Sequence, residues 1–140
     1  MAGPRGDTPR EAVDRLVAAR GHSWVVDRCS EVLQEGEINA DLLVGLAGRH
    51  AEVVLSGREG GVEGYWPRVG ALRALMYTWE QRASSHVVLV LCDESWRVRE
   101  MALKVTRRRR VRGAQPAVTA LLLDPVERVR DAAARALETN

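Results

Sequence analysis

Apolar positions recur with helical spacing along most of the chain. From Val98 onward, Val98, Met101, Ala102 and Val105 follow the i, i+3, i+4, i+7 spacing that gathers them on one helix face. The same spacing returns in Val126, Val129, Ala133, Ala136 and Leu137. A short apolar run precedes each of these faces, over 84–92 and 116–123, and each run ends at an aspartate, Asp93 or Asp124. The pattern predicts pairs of short helices joined by tight turns, with the turn aspartate accepting a backbone N–H of the helix that follows.

These pairs repeat. "PRVGALRAL" from Pro67, "VREMALKVT" from Val98 and "VRDAAARAL" from Val129 lie 31 residues apart. In this register Arg68, Arg99 and Arg130 coincide, as do Ala71, Ala102 and Ala133, and then Ala74, Val105 and Ala136. A two-helix unit cannot cover its own apolar side, so neighbouring units must stack, and small alanines at the contact let helices approach closely. A weaker copy, "VVDRCSEVL" from Val25, aligns with the second helices and puts Cys29 at the alanine position. A third helix over about 40–55 and a loop containing Gly57, Gly60, Gly61 and Gly64 absorb the extra spacing there. At the start, Thr8, Pro9 and Glu11 make a capping-box signature, and Gly21 stops the helix it opens. Eight helices in four antiparallel pairs are expected. Residues 1–7 are expected to be disordered and 8–140 to form one domain, with strong repeats over 65–138, degenerate ones over 8–56 and a glycine-rich loop over 56–64.

The turn Asp93 with Val98-Arg99 and Ala102, then Pro116, Asp124, Val129-Arg130, Ala133 and Ala136-Leu137, resemble the HEAT repeat family, in particular the short HEAT-like repeats of the phycobilin-lyase type. The resemblance covers about 65–138. It implies an all-α, right-handed α-solenoid that acts as a non-enzymatic scaffold for protein–protein interaction, with second helices lining a concave groove. It also implies that Asp93, Arg99, Asp124 and Arg130 form a structural ladder. An Asp six residues before an Arg, across one turn, suits a charge-assisted hydrogen bond.

Equivalent positions on stacked second helices form columns. One column reads Trp24, Trp66, Arg97, Arg128, and another Glu31, Arg73, Lys104, Arg135. Further along come Met76 with Arg107, and Tyr77 with Arg108. Trp66 and Tyr77 would form an aromatic end that merges into a ridge of Arg73, Arg97, Lys104, Arg107, Arg108, Arg128 and Arg135. Arginine forks suit carboxylates and phosphates, and aromatics supply anchoring area. A solvated face is the competing reading, because Glu100 with Lys104 and Asp131 with Arg135 have the acid-before-base i, i+4 spacing of helix ion pairs. Trp79 and Trp96 fall outside the columns and are expected at inter-helix corners.

Charge sharpens the partner. Residues 1–64 carry 7 arginines and 11 acids, whereas residues 65–140 carry 14 basic residues and 8 acids. An anionic partner for the second half follows, with an acidic protein segment first and nucleic acid on the same ridge second. The stretch "KVTRRRRVRGAQPAV" concentrates this charge at a repeat junction, where the stem of Arg109 is expected to pack while its head reaches solvent. A glycosylase-like variant of the second reading would pair Asp27 with Trp24 and Trp66. Self-association through the terminal repeat is a third route. Cys29 and Cys92 lie in apolar stretches as expected for buried thiols of a reduced, cytoplasmic protein, and no apolar leader or membrane-length run appears. His22, His50 and His86 lack metal-ligand spacing with the cysteines, and no phosphate loop or nucleophile motif occurs, so neither cofactor, metal nor catalytic residue is expected.

Overall fold

A computed structural model describes residues 8–47 and 64–138. The expected N-terminal tail, the end of the third helix, His50, nearly all of the glycine-rich loop and the last two residues lie outside the described residues. Eight α-helices are present among those described: α1 Pro9–Arg20, α2 His22–Glu35, α3 Ala40–Ala47, α4 Trp66–Leu75, α5 Ser84–Val90, α6 Trp96–Arg109, α7 Gln115–Ala120 and α8 Glu127–Glu138. Single 3₁₀ turns, Gln81–Ala83 and Leu121–Leu123, precede α5 and follow α7.

The local signals act as their chemistry dictates. Thr8 Oγ1 accepts from the Glu11 N–H at 3.2 Å while Glu11 Oε1 accepts from the Thr8 N–H at 3.0 Å, closing the capping box on α1. Gly36 ends α2 in the left-handed region, at φ 81°. Asp93 Oδ2 accepts from the Ser95 N–H and Asp124 Oδ1 from the Val126 N–H, both at 2.9 Å, so each turn aspartate folds its own turn. The arginine run ends its helix earlier than its glycine, because Arg110 itself takes the left-handed conformation at φ 51°.

The helices α4, α6 and α8 form one row. Their starts lie together, since Arg128 at the start of α8 donates to Glu100 near the start of α6. Their ends do so as well, since Arg109 Nε at the end of α6 donates to the Leu75 carbonyl at the end of α4, 2.9 Å away. The Arg109 head is therefore not in solvent as expected. It ties down a C-terminal carbonyl of the preceding repeat and lies over Trp79, 5.8 Å from the ring centre. Between the rows, Ala71, Ala102 and Ala133 are fully buried, as are Leu72, Leu75, Val98, Leu103 and Val129.

The N-terminal part departs from the simple register. At the start of α2, His22 Nδ1 lies 2.6 Å from Thr78 Oγ1 and Ser23 Oγ 2.9 Å from Glu80, just past the end of α4. Asp27 pairs with Arg82, just before α5. The starts of α2 and α5 thus sit side by side at the far end of α4, and α2 packs along both. It occupies the first-helix row, not the second-helix position that "VVDRCSEVL" suggested. The reason is visible in its burial. Val25, Val26, Cys29, Val32 and Leu33 give it two apolar sides, which a first helix enclosed by α1, α4 and α5 can bury and a groove-lining helix cannot. Helix α3 packs on α1 and α4, and Gly45 makes that contact possible, for a Cβ there would lie 2.5 Å from Leu16 Cδ2.

The two thiols differ. Cys29 is buried, and burial pushes its thiol up to about 12. Cys92 is exposed in the α5–α6 turn, contrary to expectation, because its apolar run ends one residue earlier at the fully buried Leu91. A maleimide is therefore expected to label one thiol per native chain and two after denaturation, which intact mass reads directly.

Candidate binding face

Three adjoining pockets run along the second-helix row. The first, about 320 Å³, lies where Pro9, Val13, Leu46 and Ala47 meet Trp66, Gly70 and Arg73. Trp66 and Arg73 also belong to the second, about 430 Å³, with Tyr65, Trp96, Arg97, Met101, Lys104 and Arg128. Lys104 passes on to the third, about 520 Å³, with Met76, Leu103, Ala132 and the cations Arg107, Arg108, Arg110 and Arg135. The repeat places Arg73, Lys104 and Arg135 one per helix, which is why one column touches all three pockets.

The aromatic wall differs from the one expected. Tyr77 is exposed and lines none of these pockets, whereas Tyr65 and Trp96 stand beside Trp66. Arg97 is held between Tyr65 and Trp96, 5.1 and 4.5 Å from their ring centres, and Arg128 lies 5.6 Å from Trp96. Trp96 is therefore a groove residue and not only a corner residue. The signal was available: Tyr65 and Trp96 are 31 residues apart, at equivalent positions before the Trp66/Arg97 column. The ring of Trp66 folds back over Gly70, where a Cβ would come within 3.0 Å of it.

The ion pairs on this face follow the stacking of repeats and not the spacing within one helix. Glu100 does not pair with Lys104. Its carboxylate takes Arg128 of the next repeat at 3.0 Å. No ion pair joins Asp131 to Arg135. Among the described residues Arg73, Lys104, Arg107, Arg108 and Arg135 have no carboxylate partner, and Lys104, Arg107, Arg108 and Arg135 stand around the third pocket without an acid in its lining. Burial, and secondarily the neighbouring charge of Arg108, lowers the pKa of Arg109.

Trp24 lies elsewhere. On α2, its ring stacks with Arg20 at the end of α1 and with Arg28 of its own helix, 4.3 and 5.7 Å from the two guanidinium carbons, and it lines none of the three pockets. Asp27 is engaged by Arg82, 2.8 Å away. The arrangement of Asp27 with Trp24 and Trp66 that a glycosylase-like site would need is not formed, because α2 sits in the other row.

The ladder is also wired differently. Arg99 Nε and Nη2 grip the carboxylate of Asp124, one repeat on, at 2.7 and 3.2 Å, while its Nη1 donates to the Asp93 carbonyl at 2.9 Å. Arg68 does the same with Asp93, its Nε lying 2.8 Å from Oδ1 off a hydrogen-bond axis and its Nη1 on the Gly64 carbonyl. The arginine six residues after an aspartate thus holds that aspartate's backbone, and reserves its fork for the next repeat's carboxylate.

Stacked helix pairs with a shared polar ladder define an all-α solenoid. Residues 114–139, the last pair, match the family model of the HEAT repeat. No curated protein and no solved structure matches the chain. No helix among the described residues is long and apolar enough to cross a membrane.

Proposed function

We propose that this protein is a non-enzymatic scaffold of the short, phycobilin-lyase-like HEAT type, and that it binds an acidic segment of a protein partner in a basic groove along its second helices. HEAT repeats generally mediate protein interactions. The observation that carries the reading is the set of cations without carboxylates, Arg73, Lys104, Arg107, Arg108 and Arg135, placed beside apolar Met76, Met101 and Leu103. A segment that alternates acidic and apolar side chains could satisfy both. The aromatic wall of Tyr65, Trp66 and Trp96 supplies anchoring area, with Arg97 and Arg128 stacked on it.

Fluorescence anisotropy with a labelled Asp/Glu-rich peptide carrying interspersed leucines tests this. Arg73→Glu/Lys104→Glu/Arg135→Glu is expected to weaken binding at least about 30-fold, roughly 2 kcal/mol, and added salt to weaken the wild type. Equal binding by wild type and variant would refute the groove assignment. A second reading rests on Arg107, Arg108, Arg110 and Arg112, all exposed at one helix end, which could straddle phosphates. It requires affinity for generic duplex that falls with salt at a log–log slope near −0.9 per neutralised phosphate.

A further inference from the structure

The third pocket gathers charge in a way the rest of the chain does not. Elsewhere Arg28, Arg68, Arg82, Arg99 and Arg128 each meet a carboxylate within 3.0 Å. Here Lys104, Arg107, Arg108 and Arg110, from α6 and its end, join Arg135 of α8 around one space of about 520 Å³. Among the described residues none of these five has a carboxylate partner. Lys104 lies three and four residues before Arg107 and Arg108, the spacing at which like charges destabilise a helix. A helix end favours cations in its last turn. That accounts for them one helix at a time, and not for the convergence of two helix ends on one pocket.

Arg110 adds an independent observation. It takes the left-handed conformation at φ 51°, where a glycine fits without strain and an arginine does not. Gly113, three residues on, already supplies a positive φ of 80°. A glycine at position 110 would end α6 with less strain and leave the pocket one cation short. A strained backbone position that adds charge to an already charged site marks a functional one.

The occupant must carry more charge than a carboxylate. A carboxylate brings one negative charge and two oxygens, whereas a phosphate monoester brings about two charges and three acceptor oxygens that arginine forks can grip. The cations converge on one space, unlike the track that the spaced single charges of a nucleic-acid backbone need, and apolar Met76 and Leu103 lie among them. We propose that this pocket takes a phosphoserine or phosphothreonine carried by the partner's acidic segment. The inference rests on the groove reading above and deepens it, because the partner's phosphorylation state then sets the affinity.

Three labelled peptides test this by fluorescence anisotropy with the full chain. They share one acidic, leucine-containing sequence and differ at a central serine, glutamate or phosphoserine. The phosphoserine peptide is expected to bind at least about 10-fold more tightly than the glutamate peptide. Arg107→Gln/Arg110→Gly should cut that ratio at least about fivefold, while Arg110→Gly alone melts at or above the wild-type temperature, since glycine suits the left-handed position. Equal affinity for the glutamate and phosphoserine peptides, with both lost in Arg73→Glu/Lys104→Glu/Arg135→Glu, overturns the phosphate site and leaves the groove reading standing. No binding of any of the three peptides overturns both. A phosphoserine advantage undiminished in Arg107→Gln/Arg110→Gly overturns the assignment to this pocket. Displacement of the phosphopeptide by generic duplex at equal or lower concentration assigns the pocket to nucleic acid and also overturns it.

Discussion

Replacing Asp124 with alanine is expected to destabilise the protein by about 3 kcal/mol, near the low end for breaking a buried ion pair. The change strips the Arg99 fork of both its hydrogen bonds to the carboxylate and removes the acceptor of the Val126 N–H. The Asp124 side chain is only 4% exposed and Arg99 13%, so water cannot replace what is lost. A Tm drop of about 10 °C would correspond to that loss. The Asp27–Arg82 pair is the control: with side chains about half exposed, its Asp27→Ala variant should cost no more than about 1 kcal/mol.

The Asp124 effect has a defined pH dependence. Burial raises its pKa, but the Arg99 hydrogen bond, the Val126 N–H and the charges of Arg99 and Arg130 outweigh it, and the pKa falls below the ordinary 3.8. A depressed carboxyl stabilises the fold fully at pH values above its unfolded pKa, and that stability is lost as pH falls through the folded pKa. The gap between wild type and Asp124→Ala in denaturant midpoints should therefore be constant near neutrality and shrink only below about pH 4.

Leu103→Ala should cost about 2–5 kcal/mol, because Leu103 is fully buried between α6 and α8 and its removal leaves a void in a close-packed contact. Ala134→Leu, at the equivalent exposed position of the last repeat, should change stability by no more than about 0.5 kcal/mol. Urea unfolding of the two variants compares them directly, with midpoint shifts at unchanged slope reading the difference. Similar effects in both would mean that the 31-residue register does not set burial as the stacked rows require.

The repeat made the C-terminal half legible. Three copies of one spacing determine which face of α4, α6 and α8 is buried, and the columns built on it place Arg73, Lys104 and Arg135 along one row of pockets. Where the spacing broke, the reading failed. Helix α2 carries apolar residues on two sides, and a periodicity that marks one face cannot say which row a two-sided helix joins. Trp24 and Asp27 were misplaced with it. Ion pairing was the other gap. Spacing within one helix offered Glu100 to Lys104, but Arg128 from the next helix took it, a choice made by stacking between repeats. The same stacking turns the Asp–Arg ladder from an intra-repeat contact into an inter-repeat one.

The central claim is that an acidic partner segment lies on the second-helix row, and amide NMR of the full chain titrated with the acidic, leucine-containing peptide tests it most directly. The account predicts saturable shifts at Arg73, Met76, Lys104, Arg107 and Arg135, with α5 and α7 unmoved. Shifts concentrated on α5 and α7, or none at peptide excess, would contradict it.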